Sequence, residues 1–193
     1  MVMRYPGMPR AGTACDQLVS QIDVFPTLCE LAGIPKPDWL QGVSMLPALE
    51  HEEPIRSEVF AEITYHAAYE PVRCIRTRRY KLIIRFDEYA GVVAPNIDNS
   101  PSKQALKDAG YMERSLPSQE LYDLAVDPCE RCNLVDDPRL KAVYEDLIHR
   151  LHHWMEETED PLLTHPLRIP APDGAIVNRQ DGYDPETTPL EIS

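Results

Sequence analysis

The chain has 193 residues, 43% hydrophobic and 26% charged, an ordinary globular balance that fits one domain or one and a half. A formal charge of −13 excludes non-specific attachment to nucleic acid or to an anionic membrane surface. No window approaches the roughly 18 apolar residues of a membrane-spanning helix, and Met1-Val-Met-Arg-Tyr-Pro6 lacks the apolar core of a signal peptide. The five cysteines, at 15, 29, 74, 129 and 132, are odd in number and irregularly spaced, so they define no disulfide framework and leave the compartment open.

In chain order, Val2-Met3-Arg4-Tyr5 before Pro6-Gly7 reads as the end of a buried strand whose earlier part is missing. Ser20 to Ala32 is predicted helical. Ser20 and Asp23 have capping spacing; Ile22, Phe25, Leu28, Cys29 and Ala32 make an apolar stripe; Gly33 and Pro35 close it. Pro26 is admitted because it falls near the first turn. Pro37 to Leu49 is predicted to be a loop, with a domain boundary between Leu49 and Ser57.

Three strands follow between Ser57 and Phe86. Val59, Ala61 and Ile63 alternate with polar or larger neighbours, Val72, Cys74 and Ile75 sit among basic residues, and Tyr80-Lys-Leu-Ile-Ile84 is an apolar run after a tight hairpin near Arg78. From Pro71 to Phe86 the chain carries Arg73, Arg76, Arg78, Arg79, Lys81 and Arg85 and no acid. On an acidic protein such a stretch is either a solvated strand face or a site for an anionic ligand. Asp87 to Ser118 is irregular apart from a short helix over residues 103–112, and Glu120-Leu-Tyr-Asp123 is a fourth strand. Asp137-Pro138 then opens the clearest helix, with Leu140, Val143, Leu147, Leu151 and Trp154 repeating to about Thr158. One amphipathic helix covers one sheet face, which predicts an α+β layer of four antiparallel strands and one long helix. Beyond Asp160 the chain is Pro-rich and aperiodic and is expected to wrap the surface or to be partly disordered.

Taken together, several segments carry a resemblance. Asp16-Gln-Leu-Val-Ser-Gln-Ile-Asp-Val-Phe-Pro-Thr-Leu28, Leu31-Ala-Gly-Ile-Pro35, Gly42-Val-Ser44, Arg76-Thr-Arg-Arg-Tyr-Lys-Leu-Ile83, Glu120-Leu-Tyr-Asp-Leu124, Asp127-Pro128 and Asn133-Leu134 resemble, in order and spacing, the late part of the sulfatases. Glu62-Ile-Thr-Tyr-His66 and Tyr69-Glu-Pro-Val-Arg73 are most similar to the heparan N-sulfatase (N-sulfoglucosamine sulfohydrolase) branch. The resemblance implies an α/β fold of the alkaline-phosphatase-like kind and hydrolysis of sulfate esters or sulfamates. Residues 1–50 would be a remnant of the catalytic α/β domain, 51–160 the antiparallel-sheet subdomain, and 161–193 an irregular tail.

A sulfatase nucleophile is a formylglycine made from a Cys/Ser-x-Pro-x-Arg motif beside a calcium ion. No cysteine here has Pro two residues later, and Ser115-Leu-Pro-Ser-Gln119 has Gln in place of Arg. Asp98-Asn99 imitates the family's metal-binding pair but falls too late in the family order. Calcium is therefore implied for the full-length family and not for this chain, and no catalytic residue is expected in it. The implied substrate contacts are His66, Arg73 and Glu62, at the rim of the sulfatase pocket. Each has a plainer reading: a loop histidine, a salt bridge from Arg73 to Glu62 or Glu70, a solvent-facing strand glutamate. The implied partner is a sulfated sugar; an apolar surface left by the missing part would allow self-association. Two other functions stay open: a non-catalytic sugar-anion-binding or structural fragment, and a phosphodiester or phosphonate hydrolase of the same superfamily. Cys129-Glu-Arg-Cys132 has zinc-ligand spacing without a second pair to complete a site, and His149, His152 and His153 have no evident partner.

Overall fold

All four expected strands form in the computed structural model, which describes residues 1–164, 169–171 and 173–183. They are β1 (Glu58–Tyr65), β2 (Tyr69–Thr77), β3 (Tyr80–Arg85) and β4 (Gln119–Asp123), joined in the order β1-β2-β3-β4 as one antiparallel sheet. In the β3–β4 pair Leu82 faces Leu121 and Ile84 faces Gln119. The helices are α1 (Val24–Ala32), α2 (Leu46–His51), α3 (Pro101–Asp108) and α4 (Lys141–Glu157). The chain divides into two compact units, one of Met1–Val59 with Arg76–Arg79, the other of Phe60–Ile75 with Tyr80–Ser193.

The larger unit is the expected layer. Asp137 accepts a hydrogen bond from the Arg139 N–H, Pro138 starts a 3-10 turn, and α4 runs on from it. Leu147, Leu151 and Met155 project from α4 onto Ile75, Leu82, Ile84 and Leu121 of the sheet, and all are buried. Burial of each such side chain stabilises by about 1.5–3 kcal/mol. The Phe60 and Trp154 rings stack with centroids 4.9 Å apart, tying β1 to the helix. Ser100 caps α3 by accepting from the Lys103 N–H, and Pro101 takes its first position, so this helix begins two residues before the expected start.

The smaller unit departs from its prediction in three respects. Residues 1–5 form no strand, and Val2 is almost wholly exposed; a strand needs a ladder neighbour, and none lies beside it among the described residues. The end of the expected Pro37–Leu49 loop instead winds into α2, Leu46–His51, with Pro47 near its start where the missing N–H costs nothing. Helix α1 forms where predicted and ends on Gly33 at φ 66°, but of its apolar stripe only Cys29 is buried. Ile22, Phe25 and Leu28 are exposed, while Asp23, Pro26, Thr27 and Cys29 are buried. The inner face is polar because it holds a hydrogen-bond network. The Asp23 carboxylate accepts from the Ser20 N–H (2.7 Å), the Val43 N–H (3.0 Å) and the Arg56 guanidinium. One turn on, the Thr27 hydroxyl donates to the Asp23 carbonyl and accepts from the Met45 N–H at 2.8 Å.

That network brings Gly42 against the helix start. A Cβ at position 42 would lie 2.0 Å from the Ile22 carbonyl oxygen and 2.5 Å from its carbon, both backbone atoms that cannot rotate away. Gly42→Ala is therefore expected to destabilise the chain by roughly 1–3 kcal/mol. The check is a urea unfolding curve with unchanged slope and a lowered midpoint; a midpoint equal to wild type would show that the loop yields at no cost.

Candidate functional site

Strand β1 lies at the sheet edge, and a shallow groove of about 540 Å³ runs beside it, lined by Glu62, Ile63, Thr64, Tyr65, His66, Pro161, Ile169 and Pro170. His66 and Glu62, two of the three expected contacts, line this groove and are exposed. Arg73, the third, does not line it.

The turn bearing His66 is firmly held. The His66 N–H donates to the Ala68 carbonyl at 3.2 Å. The Asn96 side-chain oxygen accepts from both the Ala67 and Ala68 N–H groups, at 2.9 and 2.7 Å, and its amide donates to Glu70 at 2.7 Å. Asn178 closes the other side: its backbone N–H and its side-chain amide both donate to the Ala67 carbonyl, at 2.8 and 2.9 Å. Tyr65 donates its hydroxyl to the Ile169 carbonyl at 2.6 Å, and the Ile169 N–H donates to the Tyr69 hydroxyl at 3.2 Å. Backbone groups that would otherwise be unsatisfied are thus paired, and the imidazole projects from a fixed frame with no hydrogen-bond or ion-pair partner among the described residues. Neither Asn96 nor Asn178 was identified from the sequence, since an asparagine in a long irregular segment carries no periodicity to mark it.

Arg73 sits on the buried face of β2, together with Tyr69, Pro71 and Ile75. Its Nε donates to Asp160 Oδ2 at 2.5 Å and Nη2 to Asp160 Oδ1 at 3.0 Å, a bidentate pair with both side chains 1% exposed. Nη1 donates to the Ile63 and Val72 carbonyls and Nη2 also to the Thr64 hydroxyl. A guanidinium has five N–H donors, and these contacts occupy all five. No donor is left for a sulfate or a carboxylate: Arg73 is ion-paired chiefly to Asp160, a partner the sequence did not suggest, and more loosely to Glu62 at 3.4 Å. Burial alone would push the Asp160 carboxyl up. Hydrogen bonds from Arg73 and the Leu162 N–H, with the guanidinium charge, outweigh that and hold it below the ordinary carboxylate range.

Three more of the six basic residues of this stretch are paired: Arg78 with Asp16, Lys81 with both carboxylate oxygens of Glu130, Arg85 with Glu120. Four of the six cations are answered by acids distant in sequence, which favours the strand-face reading over an anion site. Among the described residues no group of three or more His, Cys, Asp and Glu is placed to hold a metal ion. The described residues do not assemble a calcium site of the kind the resemblance implies for the full-length family.

Comparison with known proteins fits this architecture. A family model described as N-sulphoglucosamine sulphohydrolase, C-terminal, matches residues 1–105. The chain is 33% identical over 175 residues to an ulvan-active sulfatase of Formosa agariphila, covering 88% of this chain and 35% of that protein. It is 29% identical over 209 residues to the N-sulphoglucosamine sulphohydrolase of Homo sapiens, covering 94% and 39%. A solved 2-O GAG sulfatase superposes with a TM-score of 0.54 at 25% identity, over 86% of this chain and 30% of that one. The fold is that of the sulfatases, of the alkaline-phosphatase-like class. Within that class the chain belongs to the family of the N-sulphoglucosamine sulphohydrolase C-terminal region. It spans about a third of the length of the curated relatives it matches.

Proposed function

We propose that the groove beside β1 is the sugar-facing wall of a sulfatase acting on sulfate esters or sulfamates of glycosaminoglycan-derived sugars, N-sulfoglucosamine among them. The observation that carries this reading is the exposed His66 imidazole, held on a turn pinned by Asn96 and Asn178, in a chain of the sulfatase family. An imidazole N–H directed into the groove donates to a sulfate or sulfamate oxygen; the Glu62 carboxylate accepts from a sugar hydroxyl. Arg73 has a positioning role in this proposal. By holding the Ile63 carbonyl and the Thr64 hydroxyl it fixes the stretch of β1 between the two groove residues.

Titrating N-sulfoglucosamine, with unsulfated glucosamine as control, into the 193-residue chain tests the reading by NMR. Shifts are expected at Glu62, Thr64 and His66 for the sulfated sugar. His66→Ala should weaken binding by about 2- to 12-fold, one net hydrogen bond of roughly 0.5–1.5 kcal/mol. Equal shifts with both sugars, or none in the groove, would overturn it.

The absence of a Cys/Ser-x-Pro-x-Arg motif in these residues favours a second reading for the chain by itself, that of a binding module without turnover. The chain alone should release no sulfate from an aryl sulfate above a heat-inactivated control. Measurable release would place a nucleophile within these 193 residues and sink that second reading.

A further inference from the structure

Two thiols that the sulfatase reading leaves unused lie in one turn between β4 and α4. Cys129 and Cys132 are both free and both exposed. The turn is organised by Asp127. Its carbonyl accepts from the Glu130 N–H at 3.2 Å, and its Oδ2 accepts from the Arg131 and Cys132 N–H groups at 2.7 and 2.8 Å. The backbone at Cys132 is thereby folded back onto the side chain two residues before Cys129. Between the cysteines Glu130 takes φ 54°, the left-handed region a non-glycine residue enters only when its surroundings impose it. Those surroundings are visible. Lys81 on β3 donates to both Glu130 carboxylate oxygens, at 2.9 and 2.7 Å. Asn133, next to Cys132, accepts from the Leu121 N–H and donates to the Gln119 carbonyl of β4, each at 2.9 Å.

The turn is therefore clamped to the sheet on both sides, with two accessible thiols three residues apart across a chain reversal. Cys-x-x-Cys across a tight turn is the spacing of dithiol–disulfide pairs. A metal ion would need further ligands, and no group of three ligating residues exists among those described.

We propose that Cys129 and Cys132 form a reversible intra-turn disulfide, a redox-modification site on the connection that feeds α4. The oxidant is a small-molecule disulfide of the glutathione class. One thiol, as thiolate, attacks a sulfur of that disulfide; its S–S bond breaks, and one small thiol leaves with a proton. The second cysteine thiolate then attacks the sulfur of the first, breaking the mixed disulfide and releasing the second small thiol. Two protein thiols are oxidised by two electrons, and one small disulfide is reduced to two thiols.

The test equilibrates the full chain in oxidised and reduced glutathione at graded ratios, quenches with acid, denatures, and labels free thiols with a maleimide for intact mass and peptide mapping. At oxidising ratios the peptides of Cys129 and Cys132 should lose both labels without gaining glutathione mass, and regain them on reduction, whereas the exposed Cys15 can only take up an adduct. Cys129→Ser and Cys132→Ser should each stop at a glutathione adduct on the cysteine left in the turn, and the double variant should form no intramolecular disulfide, whatever adduct the exposed Cys15 carries. Five labels at every ratio, loss mapped to another pair, covalent dimers, or a wild type that stops at the mixed disulfide would each overturn the proposal.

Discussion

Arg73→Ala is expected to lower the unfolding free energy of the chain by roughly 3–5 kcal/mol, the range for removing one partner of a buried ion pair. For a chain of this length that is a fall in Tm of about 6–20 °C. The size follows from what is stranded. Asp160, three residues past the end of α4, would keep its carboxylate in an almost fully buried site, and the Ile63 and Val72 carbonyls and the Thr64 hydroxyl would lose their donors. Asp160→Ala should cost a similar amount, leaving the guanidinium as the orphan. A paired replacement, Arg73→Met with Asp160→Leu, should recover most of the loss, because the cost lies in the unpaired charge rather than in the missing attraction. The pH dependence has a definite sign. The folded Asp160 carboxyl sits below its unfolded value of about 3.9, so its stabilisation is fully present above that pH and fades as pH falls through the folded value. Wild type and Asp160→Asn should therefore converge in stability at the acid end and stay apart from pH 5 upward. A single variant within about 1 kcal/mol of wild type at pH 7, measured by denaturant unfolding, would show that the pair is dispensable.

This result bears on what the sequence conveys about the site. Arg73 and His66 stand seven residues apart in a segment that resembles the sulfatases, and that resemblance made both candidates. Strand parity separates them. On β2 the buried positions are Tyr69, Pro71, Arg73 and Ile75. The apolar residues of this strand, Val72, Cys74 and Ile75, give no single parity: the first two place the guanidinium on the outer face and Ile75 on the inner, and a shift of one residue reverses every side chain in a strand. Asp160 would have given the correct parity, but it follows a helix at the start of a Pro-rich segment, 87 residues from its partner. No local pattern links such positions. The strands themselves and α4 were legible because alternation, a 3.6-residue repeat and Asp137-Pro138 are local signals whose packing agrees with them.

The smaller unit was less legible for the opposite reason. Its helix buries Asp23 and Thr27 and exposes Ile22, Phe25 and Leu28, inverting the usual assignment of apolar residues to the inner face. Ser20 and Asp23 have capping spacing, and the sequence supports only that role. In the structure the same carboxylate also binds a loop some twenty residues on and an arginine 33 residues on, partners fixed by the fold alone.

Asp23→Ala should consequently be among the most damaging substitutions in this chain, at roughly 3–5 kcal/mol for exposing a buried charge network to loss of its central partner. Three donors depend on this carboxylate: the Ser20 and Val43 backbone N–H groups and the Arg56 guanidinium, whose side chain is 19% exposed. Without it the helix start loses its cap and the segment holding Val43 loses its anchor. Met45 should loosen in turn, because its N–H bonds to the Thr27 hydroxyl, which donates to the Asp23 carbonyl. Asp23→Asn should fall between wild type and alanine: one side-chain oxygen still accepts, but the charge that answers Arg56 is gone, and the second acceptor becomes a donor facing the Ser20 or Val43 N–H. Native-state hydrogen exchange distinguishes this network from simple helix fraying. The Val43 and Met45 amides should lose protection together with those of α1, although neither belongs to the helix. If both keep wild-type protection in Asp23→Ala while only the α1 amides accelerate, the carboxylate is acting as a cap and the network linking the helix to the 43–45 segment carries no stability.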